Sequence, residues 1–183
     1  MKLPANAKLV FKGNIFDTYQ WEQDLYDGST DTFEMLKRPN TIQIIPTANH
    51  KVFISNESQP SKGKFFTLLG GRQEDGEDPL ETAKRELLEE AGMESDDWEL
   101  WQVTEPYTKI EWEIYIYIAK NCRKTGQQNL DAGEKIEILE LSFDQFVEHV
   151  LDPKFCSREI VENFLRMKLE PNKLEEFRKR IFL

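Results

Sequence analysis

Along the first 69 residues the apolar side chains come in short runs bounded by Gly, Pro, Asn and Asp, a pattern of strands and turns. Segments 8–12, 15–21 and 32–37 have strand character, and Gly13-Asn14 and Asp27-Gly28-Ser29 punctuate them as turns, which predicts a small antiparallel sheet. Pro39-Asn40 breaks the chain before further strands at 41–45, 51–55 and 65–69. The period then changes. Asp78 can act as N-cap, Pro79 suits the first helical position, and Gly92 suits a left-handed C-terminal residue, so the spacing predicts a helix over 79–91. Strands return at 98–104 and 110–119. The second alternates Ile110, Trp112, Ile114, Ile116 and Ile118 against Lys109, Glu111, Glu113, Tyr115 and Tyr117, which predicts one buried and one mixed face. A last strand covers 135–141, Phe143, Phe146, Val147 and Val150 mark a helix, and another helix spans 158–169. Pro171 interrupts before a basic-acidic tail at 173–180.

Length and composition limit what this pattern can build. A chain of 183 residues holds one substantial α/β or α+β domain with at most a small appendage, here residues 1–40 as an antiparallel β region ahead of residues 41–183. The apolar share of 39% and charged share of 32% are ordinary for a soluble globular protein. A formal charge of -10 argues against a protein that grips nucleic acid through its phosphates, which needs clustered Lys and Arg. An acidic protein can still hold a polyanion when a divalent cation supplies positive charge locally. The two cysteines, Cys122 and Cys156, make no disulfide framework, and the N-terminus has no extended apolar region, so a reducing, cytoplasmic setting without membrane insertion is expected.

The chemistry concentrates between Gly70 and Met93. At about 100° per residue, Glu86, Glu89 and Glu90 fall within a sector of roughly 100° on the 79–91 helix. Leu80, Leu87, Leu88 and Ala91 are expected on the packing side, leaving the acids on an exposed face. Like charges at spacings of three and four destabilise a helix by a few tenths of a kcal/mol each, so an offsetting cation is expected. Magnesium suits such a patch because it is shared between a few carboxylates and the phosphates of a substrate. Glu-x-x-Glu-Glu alone describes many solvated helix faces. The double glycine ending a strand, the loop after it, and Arg85 beside the first acid form a much rarer arrangement.

Gly71, five residues, Glu77, seven residues, then Arg85-Glu86-Leu87-Leu88-Glu89-Glu90-Ala91-Gly92-Met93 resembles the complete Nudix box, with every signature position filled. The resemblance implies a Nudix-type α/β/α sandwich with a mixed sheet, preceded by the small N-terminal β region, and hydrolysis of a nucleoside diphosphate linked to another moiety. Carried over by position, Glu86 and Glu90 would be the principal ligands of Mg2+ or Mn2+, with Glu89 as a further ligand or water-positioning carboxylate. Arg85 and Glu77 would hold helix and loop in register. Gly70 and Gly71 would let the backbone approach metal or phosphates. A base is often supplied from outside the box, and Glu134 in Asp131-Ala132-Gly133-Glu134 is the residue chosen here. His50 and His149 belong to no motif.

Length and the extra N-terminal strands resemble the ADP-ribose pyrophosphatase branch, which implies ADP-ribose cleaved to AMP and ribose 5-phosphate by a homodimer. N-terminal aromatic and basic residues would hold adenine and ribose, and Trp21, Phe33 and Arg38 are the candidates. Two positions depart from the pattern: Leu69 stands where Pro often precedes the glycines, and Thr108 stands where a proline commonly follows the box. Nucleotide sugars and dinucleoside polyphosphates would use the same acids with a different pocket. A non-catalytic sensor of ADP-ribose-like ligands would be marked by loss of the box glutamates, and all are present.

Overall fold

The computed structural model describes residues 2–60, 62–130, 132–133 and 135–183. Two Gly- and Asp-bearing turns fold the N-terminal runs into a meander of β1 (Lys8–Lys12), β2 (Asp17–Asp24) and β3 (Thr30–Lys37). Both pairings are antiparallel. Immediately after Pro39-Asn40 the chain enters β4 (Thr41–Ala48), which turns through Asn49-His50 into β5 (Lys51–Gln59) and then β6 (Gly63–Thr67).

Helix α1 (Pro79–Ala91) begins and ends where its caps dictate. The Asp78 side chain accepts from the Leu80 N–H, and Gly92 is left-handed and donates to the Leu87 and Leu88 carbonyls. Beyond it come β7 (Met93–Glu94), β8 (Asp97–Thr104), β9 (Ile110–Glu111), β10 (Ile114–Lys120), β11 (Arg123–Lys124) and β12 (Lys135–Leu141). Helices α2 (Phe143–Val150), α3 (Arg158–Leu169) and α4 (Lys173–Phe182) complete the chain.

The central sheet has the order β12-β5-β4-β10-β8, with β6 added on β5. It is mixed, because β10 runs parallel to β4 while its other pairings are antiparallel. On one face Ile42, Ile44 and Tyr117 pack with Ala83, Leu87 and Ala91 of α1. On the other, Ile45, Ile54, Ile116 and Ile118 pack with Phe146, Phe164, Phe177 and Ile181 of α2, α3 and α4. The result is the expected α/β/α sandwich. None of the helices among the described residues is long and apolar enough to cross a membrane.

Several sequence expectations change here. The run 110–119 is two strands: β9 leaves the central sheet and pairs parallel with β3, and β10 starts after a break at Trp112-Glu113. β10 is buried on both faces, with Tyr117 only 8% exposed, because helices cover both sides of the sheet. The tail after Pro171 is helix α4, whose Phe177 and Ile181 are buried. Leu88, assigned to the packing side of α1, is 40% exposed.

Candidate active site

Strand β6 leads into the site under tight control. The buried Ser157 hydroxyl accepts from the Leu68 N–H at 3.1 Å and hydrogen-bonds Thr67 Oγ1 at 2.8 Å, fixing the chain before the glycines. Leu69–Gly71 then runs beside β4, with Ile44 N–H donating to the Leu69 carbonyl at 2.8 Å and Ile42 N–H to the Gly71 carbonyl at 2.9 Å. Gly70 has φ 133°, and a Cβ there would stand 2.1 Å from the Ile42 carbonyl oxygen. Gly71 faces the helix: its Cβ would meet the Glu86 carboxylate at 2.4 Å. At Gly70 backbone passes where a side chain cannot, and at Gly71 a side chain would have to displace the Glu86 carboxylate.

The acids of α1 are more recessed than the helical wheel suggests. Glu90 is only 6% exposed and takes the Gly70 N–H on Oε2 at 2.7 Å, so it lies beneath the glycine turn. The Glu86 side chain is 13% exposed and that of Glu89 39%. Glu90 lies three residues from Leu87, which brings it toward the packed side of α1, and the expected fully exposed anionic face is corrected to a graded one.

Arg85 binds the ensemble. Its Nε donates to Glu77 Oε1 at 3.0 Å and Nη2 to Glu77 Oε2 at 3.2 Å, a two-pronged tie between helix and loop. Nη1 donates to Glu86 Oε1 at 2.8 Å and Glu89 Oε2 at 3.0 Å. The Thr82 hydroxyl and Glu74 N–H also donate to Glu77. The Arg85 hydrogen bonds pull the Glu77 carboxyl down to about 2, and Glu77 in turn holds the guanidinium charged.

Glu86, Glu89, Glu90 and the two glycines line a cleft of about 610 Å³, and Arg38 lines it as well. The Arg38 guanidinium lies 4.3 Å from the Trp112 ring centroid and 5.5 Å from that of Phe16, and it reaches Thr41 Oγ1 at 3.4 Å. Burial, then the nearby Arg72 charge, lower its proton affinity. Arg38, Arg72 and Arg85 therefore share one cleft with Glu74, Glu86, Glu89 and Glu90. Arg72, Trp112 and Phe16 were missed in the sequence: Arg72 lies among variable box positions, and the aromatics read as strand residues. Trp21 and Phe33 are placed elsewhere, against each other on the N-terminal sheet with ring centroids 6.1 Å apart. Glu134 lies outside the described residues.

Among the described residues no group of three or more His, Cys, Asp or Glu side chains forms a ready-made metal cage. The donor set still fits a hard cation, which keeps most of its waters and needs only one or two carboxylates plus substrate oxygens. The buried Glu90 and the Glu86 carboxylate, which a methyl on Gly71 would have to displace, are the residues that would hold it.

The NUDIX domain model matches residues 37–164, spanning the box and the whole central sheet. The chain belongs to the Nudix family. Among its relatives, a methanol dehydrogenase activator of Bacillus methanolicus is 27% identical over 157 residues, covering 83% of this chain and 84% of the relative. An ADP-ribose pyrophosphatase of Bacillus subtilis (strain 168) is 23% identical over 147 residues, covering 77% and 78%. The crystal structure of an ADP compounds hydrolase superposes with a TM-score of 0.72 at 18% identity, covering 90% of this chain and 92% of that one, and supports the fold. This Nudix hydrolase is accordingly a pyrophosphatase of nucleoside diphosphate derivatives, from a family that uses divalent cations.

Proposed function

We propose that this Nudix hydrolase cleaves ADP-ribose to AMP and ribose 5-phosphate with Mg2+, accepting Mn2+ in its place. The observation that carries the reading is the two-signed cleft, lined by Glu86, Glu89 and Glu90 of the helix and by Arg38 from the end of β3, with Arg72 close to Arg38. A diphosphate bridged to a cation matches that distribution of charge. Glu86 and Glu90 hold the cation, which when bound neutralises charge on the phosphates and lowers the pKa of water. Glu89 orients the attacking water. Arg38, clamped on Trp112, binds the substrate's anionic centre. The water oxygen bonds to one phosphorus, the bridging P–O bond breaks, and a carboxylate in 131–134, with Glu134 as the choice, takes the water's proton.

The N-terminal sheet supports a homodimer. Leu9, Val10, Phe11 and Ile15 are each between 46% and 62% exposed on it, an apolar surface that a second copy would cover. Trp21 and Phe33 lie on the same sheet, away from their own protomer's cleft, and would serve adenine and ribose across the dimer. The free thiols of Cys122 and Cys156 accord with the cytoplasm.

Release of AMP from ADP-ribose, nucleotide sugars and dinucleoside polyphosphates, with Mg2+ and with EDTA, tests the reading. Cation-dependent preference for ADP-ribose is expected. Preference for another member moves the substrate, and no turnover of any member overturns the proposal.

A further inference from the structure

The last turn of α1 leaves carbonyls without intrahelical partners, and such groups ordinarily turn to water. Here a strap formed by residues 124–129 takes them one after another. Asn129 N–H donates to the Glu89 carbonyl at 2.8 Å, the Gln128 side-chain amide to the Glu90 carbonyl at 2.6 Å, and Lys124 Nζ to the Ala91 carbonyl at 2.7 Å. Thr125 and Gly126 N–H both donate to the Gly92 carbonyl, at 2.9 and 3.1 Å. Gly92 is required for this approach, since a Cβ would stand 2.4 Å from the Gly126 carbonyl oxygen.

Gln128 differs from its neighbours in the strap because its amide nitrogen spans two elements. It donates to the Glu90 carbonyl and, at 3.2 Å, to that of Ile136 in β12. The residue that would ligate the cation is thus tied through its own backbone to the strand that follows segment 131–134. Glu90 is held from two sides, its carboxylate by the Gly70 N–H and its carbonyl by Gln128.

We propose that Gln128 is a positioning residue of this hydrolase: its side-chain amide sets the α1 end that carries Glu89 and Glu90 against β12 and so fixes the cation-binding carboxylates. The proposal rests on the cation reading of the box given above. Gln128 is otherwise exposed, so its substitution removes the bridge while taking little from the core. An outer partner of a metal ligand is worth about 10–100-fold in affinity or activity. The bridge needs N–H donors, which methionine lacks at nearly the same length.

The test compares the full-length wild type, Gln128→Met and Gln127→Met, the last altering the adjacent strap residue. Mn2+ binding to the nucleotide-free proteins is followed by electron paramagnetic resonance, and steady-state kinetics are run beside it. Gln128→Met should weaken Mn2+ binding about tenfold and lower kcat about tenfold with KM for the nucleotide within twofold of wild type. Gln127→Met should match wild type in both. Wild-type Mn2+ binding by Gln128→Met overturns the proposal, as does equal weakening in Gln127→Met, which would mark a general loosening of the strap. Failure of the wild type to hydrolyse any diphosphate would remove the proposed substrate and leave the Mn2+ comparison decisive for Gln128. Absence of Mn2+ binding by the wild type would remove both.

Discussion

Gly70 and Gly71 are neighbours that forbid side chains for different reasons, and the difference separates folding from chemistry. At Gly70 an added methyl meets backbone, the Ile42 carbonyl at 2.1 Å, and φ is 133°. Neither obstacle can rotate away, and such strain costs on the order of 1–3 kcal/mol before the clash is counted. At Gly71 the obstacle is the end of the Glu86 side chain, which can swing aside. Gly70→Ala is expected to lower Tm by at least about 4 °C. Gly71→Ala should melt within about 2 °C of wild type yet need more cation for half-maximal rate. Melting curves with a Mg2+ titration check both, and equal Tm losses in the two variants would contradict the assignment. The sequence showed that two glycines stood at a strand end; which atoms they make room for depends on β4 and α1, far from them in the chain.

The loop and α1 form one element, closed by the Arg85 fork on Glu77. The Glu77 carboxyl, ordinarily near 4.5, is pulled to about 2 in the fold by the Arg85 hydrogen bonds. A depressed folded value stabilises the native state above the unfolded value, and that stability is lost as pH falls through the folded one. Glu77→Gln should therefore cost about 1.5–3 kcal/mol near neutral pH, the range for hydrogen bonds to charged groups. The difference from wild type should shrink as pH drops from about 4.5 toward about 2. Urea unfolding across that range measures it, and a difference independent of pH would show that the Glu77 charge is not what stabilises the fork.

Legibility also divides at the scale of elements. Asp78, Pro79 and Gly92 marked α1 because capping is local. Helix α4 escaped notice because dense charges at 173–180 mask the apolar spacing of Leu174, Phe177 and Ile181, which only the opposing sheet reveals. The split between β9 and β10 was hidden because one unbroken alternation runs through two sheets.

At the scale of the molecule, the N-terminal sheet and the sandwich meet along the site, since Arg38, which ends β3's extension, lines the same cleft as the box acids. The family resemblance identified the acids and offered Arg38 as a candidate, whereas the presence of Arg72 beside Arg38 in the same cleft needed the assembled fold. The exposed apolar strand β1 extends the account to assembly. The wild type is expected to sediment as a dimer, and Leu9→Glu with Phe11→Glu as a monomer that keeps the fold and binds nucleotide more weakly. A wild type sedimenting as a monomer would contradict this.

The central claim is that the carboxylates beneath the glycine turn hold the cation that drives hydrolysis, and Glu90 is the most deeply placed of them. The most direct measurement is AMP release from ADP-ribose by wild type and Glu90→Gln across a Mg2+ titration, with circular dichroism confirming the fold. The account predicts native structure and a loss of turnover of at least about 100-fold, the upper range for an outer-shell partner, at every Mg2+ concentration. Near-wild-type turnover by Glu90→Gln at saturating Mg2+ would contradict it.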